Sequence, residues 1–132
     1  MDSRSDYPIF LESVSAGFPS PADDYLEGKL DLNEHLVRNP ASTFFVRVTG
    51  DSMINAGIYS GDILIVDRSL TTKSGNIVIA VLDGELTVKR FIYENGTVKL
   101  YPENPLYQAI EVRGEMKFEV WGVVRTVIHN VL

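Results

Sequence analysis

A serine that follows a predicted strand is the first residue in this sequence that could do chemistry. Ser52 lies in the run Gly50-Asp51-Ser52-Met53, where glycine permits the tight backbone turn that would expose a serine hydroxyl. Backbone N–H groups in such a turn can stabilise the negatively charged oxygen of an acyl-transfer intermediate. The same run is also typical of a simple cap, in which Asp51 or Ser52 accepts a hydrogen bond from a turn over residues 53–56. Ser52 by itself therefore remains only a candidate nucleophile.

A lysine on a later predicted strand is the candidate base. Side chains alternate along a strand, so Lys89 shares one face with Thr87 and Phe91. Burial would remove hydration from the charged form of the lysine and lower its pKa, and a neutral amine can take a proton from a serine hydroxyl. The alternative is a solvated lysine that lies along the sheet, and the residue types alone leave that alternative open.

Other kinds of catalytic site have less support. The chain has no cysteine, which excludes disulfides, thiol catalysis and cysteine-based zinc sites. His35 and His129 are too few for an all-histidine metal site, and no ligand spacing suggests a mixed one. A Ser–His–Asp hydrolase would need one of these histidines beside Ser52, and no G-x-S-x-G motif occurs. We therefore expect no metal and no cofactor.

The composition is that of an ordinary globular protein with an acidic surface. The 132 residues are 45% hydrophobic and 23% charged, and their number suits a single core. The net charge of -6 and the scattered basic residues argue against direct DNA binding, which usually needs a basic face. No apolar run approaches the roughly 18 residues that cross a bilayer, and the first residues lack the features of a signal peptide. We expect a cytoplasmic protein with no membrane association.

The first 42 residues differ from the rest and predict an N-terminal arm. Four of the six prolines lie there. Residues 13–21 are small, polar and interrupted by proline, which favours an extended shape. This stretch could therefore be presented to a protease.

One short helix is predicted near the end of the arm. Asp31 can cap it, and Glu34 occupies the capping-box position. An apolar side precedes the stop signal Asn39-Pro40 and consists of Leu32, Leu36 and Val37. Residues 20–29 could hold a further helical turn.

From residue 43 onward the sequence predicts strands joined by tight turns. Asp83-Gly84 and Asn95-Gly96 are two-residue hairpin signals. The predicted strands cover residues 43–49, 62–67, 76–82, 85–93 and 97–101, with one or two more within 117–129. This pattern predicts a mainly β fold: a curved, mostly antiparallel domain over residues 43–132, preceded by the extended arm and short helix of residues 1–42.

Two sequence blocks resemble the UmuD/LexA family of self-cleaving serine–lysine peptidases, and the UmuD branch most closely. The first block is GDSM followed by GDILIVD, and the second is DGELTVK. Their order and separation agree with the family, and the proline-containing arm lies upstream as it does there. The resemblance runs from about Phe10 to Val124, which is nearly the whole chain. It implies a LexA/UmuD-like peptidase domain.

The resemblance implies a role for each matching residue. Ser52 in GDSM matches the nucleophile, and Lys89 in the TVK block matches the general base. Ala16-Gly17 matches the bond that such a protein cuts in its own chain, with Val14 as an upstream anchor. The N–H groups of Ser52 and Asp51 would hold the oxyanion. Alanine at the cut bond is typical of LexA, whereas UmuD has cysteine there, and this departure leaves the expectation intact.

The resemblance also implies a biological setting. Cutting would be stimulated by a RecA–single-stranded-DNA filament during the SOS response to DNA damage. The shortened chain would be a homodimer that serves a UmuC-like translesion polymerase. Only 16 residues precede the expected cut, too few for a repressor's helix-turn-helix domain. Two alternatives stay open: a non-catalytic polymerase-docking module, and the catalytic half of a LexA-like or phage repressor.

Overall fold

The computed structural model describes residues 6–10, 16–17 and 26–132. These residues belong to two compact units, Met1–Arg38 and Asn39–Leu132. The functional division predicted from the sequence, an arm over residues 1–42 and a peptidase domain over 43–132, stays a prediction.

The first unit contains a small antiparallel sheet that the sequence analysis did not predict. Strand β1 (Asp6–Phe10) pairs with β2 (Leu26–Asp31). The suggested helical turn over residues 20–29 is wrong for residues 26–29, which lie in β2, and residues 20–25 are outside the described part. Gly28 disfavours a helix there, and pairing with β1 satisfies the backbone groups that a helix would have satisfied internally.

The predicted short helix is present as α1 (Leu32–Leu36). Asp31 caps it as expected, because Asn33 N–H donates to Asp31 Oδ1 at 3.0 Å. The helix ends three residues before the predicted stop signal, since the backbone is already extended at Val37. Pro40 instead opens a short 3₁₀ turn, Pro40–Ser42, at the start of the second unit.

A seven-stranded antiparallel sheet forms most of the second unit. Its strands lie in the order β3-β4-β9-β5-β6-β7-β8. Their bounds are β3 Thr43–Arg47, β4 Ile63–Asp67, β5 Ile77–Leu82, β6 Glu85–Glu94, β7 Thr97–Tyr101, β8 Ile110–Glu111 and β9 Phe118–Ile128. The mainly β, mostly antiparallel fold with one helix is therefore confirmed. The segment 117–129 forms one strand, and the two-residue strand β8 was not predicted.

Both predicted hairpin turns are present. Asp83 and Gly84 have φ of 49° and 86°, and Asn95 and Gly96 have φ of 52° and 75°. Two successive positive φ values are typical of the type I′ turn, whose twist matches that of the flanking strands. Residues 83–84 therefore set the register of β5 on β6, so that Val78 lies opposite Lys89.

Two irregularities in β9 bend the sheet. The pairing of β9 with β4 shifts at Ile65/Val66, and its pairing with β5 shifts at Ile79/Ala80. Each shift places an extra residue of β9, Arg125 in one case and Trp121 in the other, opposite no partner. Such bulges increase local twist and bend the strand.

Apolar side chains pack on both faces of the sheet. Along β5, Ile79 belongs to one buried cluster, whereas its neighbours Val78 and Ala80 belong to another. The first cluster also takes Met53 and Ile58 from the connection between β3 and β4. That connection is therefore held against the sheet by apolar packing, and it is the segment that carries Ser52.

Candidate active site

Ser52 lies in the turn that follows β3. Gly50 has a φ of 91°, a left-handed conformation that glycine adopts at little cost. The buried side chain of Met53 anchors the turn, and a 3₁₀ turn follows over Ile54–Ala56. The capping interpretation of Asp51 and Ser52 is wrong, because this 3₁₀ turn has no side-chain cap. The Ser52 hydroxyl instead faces Lys89.

Lys89 Nζ lies 3.1 Å from Ser52 Oγ, within hydrogen-bond distance. In a flat sheet β3 and β6 would be roughly 19 Å apart, four strand spacings of about 4.8 Å. The connection after β3, whose Met53 and Ile58 pack in the core, carries Ser52 across this gap. The structure thus brings together the two residues that the sequence analysis singled out.

Lys89 is buried rather than solvated. It is only 9% exposed, so the alternative of a lysine lying along the surface is wrong. Its amine also donates to Thr87 Oγ1 at 2.8 Å and to the Val88 carbonyl at 3.0 Å. The contact with Thr87 Oγ1 confirms that Thr87 and Lys89 share one face of the strand.

The surroundings of Lys89 favour its neutral form. Burial lowers the pKa of Lys89 below its ordinary value because the charged amine loses hydration. Within residues 26–132 and the two short described segments before them, no carboxylate lies within ion-pair distance of its amine. The three oxygens around Nζ belong to uncharged groups, so they compensate only partly for the lost water.

A pocket of about 290 Å³ opens beside Ser52. It lies between the end of β3 and the start of β6, and its walls carry both polar and aliphatic groups. Its lining residues are Val46, Arg47, Val48, Thr49, Gly50, Ser52, Met53, Ile79, Leu86, Thr87 and Val88. The pocket leaves space next to the serine hydroxyl for part of an extended segment.

The residues expected at the cut bond lie in the first unit. Ala16 and Gly17 form an exposed bend. Val14, the expected upstream anchor, is outside the described residues. The role of Ala16-Gly17 thus stays a prediction, as do the roles of Ser52, Lys89 and the N–H groups of Asp51.

Neither histidine takes part in this site. His129 Nδ1 lies 2.6 Å from the buried Asp62 Oδ1, and its ring lies against Tyr59. His35 lies in α1 of the first unit. Across residues 6–10, 16–17 and 26–132, no group of acidic or histidine side chains has the arrangement of a metal site. In the same part of the chain no helix is long and apolar enough to span a membrane.

A loop that was not predicted from the sequence contacts the Ser52 turn. Asn104 and Tyr107, between β7 and β8, both bond to Asp51. Their residue types gave no signal, because an asparagine and a tyrosine in a proline-containing loop are typical of many surface turns. The loop runs through residues 102–107.

Known proteins are similar in sequence to this chain over most of its length. A model of the family described as Peptidase S24-like matches residues 8–125. Protein SamA of Salmonella typhimurium strain LT2 is 46% identical over 127 residues, which is 96% of this chain and 88% of SamA. Protein MucA of Escherichia coli is 46% identical over 120 residues, which is 89% of this chain and 80% of MucA.

A repressor is also similar, over a smaller share of its own length. The LexA repressor of Clostridium perfringens is 40% identical over 107 residues, which is 81% of this chain and 52% of the repressor. The family match spans both the Ser52 turn and the strand that carries Lys89. The chain belongs to the Peptidase S24-like family.

Proposed function

We propose that this protein is a serine endopeptidase that cuts its own chain between Ala16 and Gly17. Ser52 is the nucleophile and Lys89 the general base. The observation that carries the proposal is the 3.1 Å contact between Lys89 Nζ and Ser52 Oγ at a lysine that is only 9% exposed. An amine kept neutral at that distance can activate a hydroxyl that is otherwise a weak nucleophile.

The hydrogen bonds around Lys89 explain how its lone pair is directed. A neutral amine has two N–H bonds and one lone pair. The Val88 carbonyl can only accept, and Thr87 Oγ1 accepts a second N–H. The lone pair is then left for the Ser52 hydroxyl proton.

The proposed reaction proceeds through an acyl-enzyme. Lys89 takes the hydroxyl proton as Ser52 Oγ attacks the carbonyl carbon of Ala16, which forms a tetrahedral intermediate. The intermediate collapses when the bond to the Gly17 nitrogen breaks, and Lys89 gives its proton to that nitrogen. Lys89 then takes a proton from the water that attacks the ester carbonyl, and it gives this proton to Ser52 Oγ as the ester bond breaks and the carboxyl group of Ala16 is released. The N–H groups of Ser52 and Asp51 are the proposed oxyanion donors.

The resemblance to UmuD extends the proposal to a biological setting. Cutting takes place in the cytoplasm during the SOS response and is stimulated by a RecA–single-stranded-DNA filament. The filament needs only to favour the population in which the segment around residue 16 meets Ser52. The product is a homodimeric accessory subunit of a UmuC-like translesion polymerase. The net charge of -6 suits protein partners better than DNA.

An intact-mass time course tests the proposed cut. Wild type, followed near pH 7 and pH 10, should slowly yield fragments 1–16 and 17–132. Ser52→Ala and Lys89→Ala should remain whole. Ser74→Ala and Lys99→Ala are matched controls on residues without a contact to the Ser52 turn, and they should be cut at the wild-type rate. Absence of cutting in every sample, even with an activated RecA filament, would favour the docking-module alternative.

A second variant tests the position of the cut. Gly17→Glu places a long charged side chain next to the attacked carbonyl and should block cutting. Ser52 in that variant should still react with a fluorophosphonate probe, because the serine and lysine are unchanged. Fragments cut at another bond would show that the bond is assigned wrongly, whereas fragments that still end at residue 16 would show that glycine is not required there.

A further inference from the structure

The loop 102–107 between β7 and β8 is bonded to the backbone on both sides of Ser52. Glu103 N–H donates to the Ser52 carbonyl at 2.7 Å, and Asn55 N–H donates to the Glu103 carbonyl at 2.8 Å. The Ser52 turn and this loop are more than 45 positions apart in the chain. These two backbone bonds therefore hold the Ser52 turn against the loop.

Asn104 makes the contact nearest to the proposed oxyanion donor. Its side-chain Nδ2 donates to the Asp51 carbonyl at 2.8 Å, and its Oδ1 accepts from Leu106 N–H at 3.0 Å. Asn104 is only 5% exposed. Both ends of its amide are bonded, so the group is held in one orientation away from competing water.

The bond to the Asp51 carbonyl also orients the Ser52 N–H. These two groups belong to the same peptide unit, and in a planar trans peptide the C=O and N–H point in opposite directions. No peptide bond in the described residues is cis. Among the described residues none accepts a hydrogen bond from the Ser52 N–H. That N–H is therefore directed away from Asn104 and is available to a ligand oxygen.

Two more contacts attach the loop 102–107 to the site. Tyr107 O–H donates to Asp51 Oδ1 at 2.5 Å, so both the carbonyl and the carboxylate of Asp51 are bonded to the loop. Glu103 Oε1 pairs with Arg90 Nε at 2.6 Å, and Arg90 follows Lys89 on β6. The same loop thus links the turn that carries the serine to the strand that carries the lysine.

We propose that Asn104 is a positioning residue for acyl transfer, which fixes the Ser52 N–H toward the oxyanion by holding the other end of the same peptide group. This inference rests on the proposed peptidase function. Tyr107 supports Asn104 by restraining the side chain of Asp51. Neither residue touches the reacting atoms, so both act through the orientation of the backbone.

Asn104→Ala tests the proposal through the rate of self-cleavage as a function of pH. The rate should fall about 10- to 100-fold, somewhat less than is typical when an oxyanion donor is lost outright. The pH midpoint of the rate should stay that of wild type, because Lys89 keeps its surroundings. A general loosening of the site would instead hydrate Lys89 and move the midpoint upward. Ile65→Val, a variant of a fully buried residue in β4, controls for lost stability and should be cut at the wild-type rate.

Two further variants narrow the interpretation. Asn104→Asp keeps the acceptor for Leu106 N–H but places an oxygen against the Asp51 carbonyl, so its rate should fall at least as far as that of Asn104→Ala. Tyr107→Phe removes only a hydroxyl from a residue that is 47% exposed, so it should fold normally and lose about threefold in rate. This variant keeps the test decisive if both Asn104 variants fail to fold.

The outcomes separate this inference from the proposed function. The positioning role would be overturned if folded Asn104→Ala cut itself at the wild-type rate. If the Asn104 variants do not fold, a wild-type rate in Tyr107→Phe would overturn it. A reduced rate with a shifted pH midpoint would also overturn it, in favour of a structural role. A wild-type protein that neither cuts itself nor reacts with a fluorophosphonate would instead contradict the proposed peptidase function.

Discussion

Thr87 Oγ1 accepts a hydrogen bond from Lys89 Nζ at 2.8 Å, across two residues of the same strand. Thr87 and Lys89 point to one face of β6, so the contact follows directly from strand geometry. Together with the bond to the Val88 carbonyl at 3.0 Å, it holds the amine toward Ser52 Oγ. A buried lysine without these two acceptors would have several rotamers of similar energy.

Removal of the Thr87 hydroxyl should slow self-cleavage. Thr87→Val keeps the shape of the side chain but removes the acceptor, so the lone pair of Lys89 is less often aimed at Ser52. We expect the rate, followed by intact mass, to fall about 10-fold, less than the roughly 10²- to 10⁴-fold that a positioned base typically contributes, because Lys89 itself remains. Thr87→Ser, which keeps the hydroxyl, should cut at nearly the wild-type rate. Equal rates in the valine and serine variants would contradict this role of the hydroxyl.

Self-cleavage should accelerate as the pH rises. The active form needs neutral Lys89, and burial places the pKa of Lys89 below the ordinary lysine value of about 10.4. The rate should therefore rise about 10-fold per pH unit below the folded pKa and level off above it. Mass spectrometry between pH 6 and pH 10.5 measures this profile. A rate that is flat over the whole range would show that deprotonation of Lys89 does not control cutting.

The stability of the fold should also rise with pH because of Lys89. Lys89 has a lower pKa in the folded than in the unfolded chain, so between the two values the unfolded chain binds more protons. The free energy of unfolding contributed by Lys89 should then rise with pH up to about 10.4. Urea unfolding measures this contribution in two proteins: Ser52→Ala, which stays uncut, and the double variant Ser52→Ala with Lys89→Met. The difference between them is the contribution of Lys89 to the free energy of unfolding. The double variant should show the flatter dependence between pH 7 and pH 10.

Asp67 should be essential for stability and insensitive to mild acid. It is fully buried, and hydrogen bonds from Asn39 Nδ2 and Ser69 lower its pKa although burial opposes them. Ser42 adds a further bond. The contribution of Asp67 to the free energy of unfolding is complete above the pKa of an aspartate in the unfolded chain, about 3.9. It is lost only as the pH falls toward the lower pKa of the folded state.

Asp67→Asn tests this contribution. The new amide would point an N–H toward a donor, so the urea midpoint should fall clearly at pH 7. Below pH 3 the urea midpoints of Asp67→Asn and the parent protein should lie closer together. Asp83→Asn is a control on an exposed turn residue, where asparagine also tolerates the positive φ, and it should leave the midpoint nearly unchanged. Equal midpoints for both variants would contradict the importance of Asp67.

Gly122→Ala should destabilise the sheet at the β9 irregularity. A Cβ there would lie 2.5 Å from Val66 Cγ1 and 3.3 Å from Arg68 Cγ. Val66 is fully buried and cannot move without disturbing the core, so we expect a loss of about 2 kcal/mol in the free energy of unfolding. Gly114→Ala, where a Cβ meets nothing within 4 Å, should change it by less than about 0.5 kcal/mol. A loss in Gly114→Ala as large as that in Gly122→Ala would contradict the steric explanation, since the lower backbone entropy of alanine in the unfolded chain favours folding.

Parts of the fold that depend on neighbours in sequence were predictable. The turns at residues 83–84 and 95–96 have residue types that tolerate positive φ, and Asp31 is a favoured helix cap. The pairing of β1 with β2 was missed, because the strands are short and separated by 15 residues. The strand β8 was missed for a related reason, since its two residues become a strand only through pairing with β7.

The sequence by itself determined the residue types of the site and the local geometry on each side of it. Alternation along β6 puts Thr87 beside Lys89, and Gly50 permits the turn at Ser52. Only the tertiary structure decided that Lys89 is buried, that its amine meets Ser52 across 37 positions of sequence, and that Asn104 bonds to Asp51. The physical reason is that backbone preferences act over a few residues. Burial and side-chain contacts between distant segments depend on how the β3–β4 connection and the loop 102–107 pack on a bent sheet.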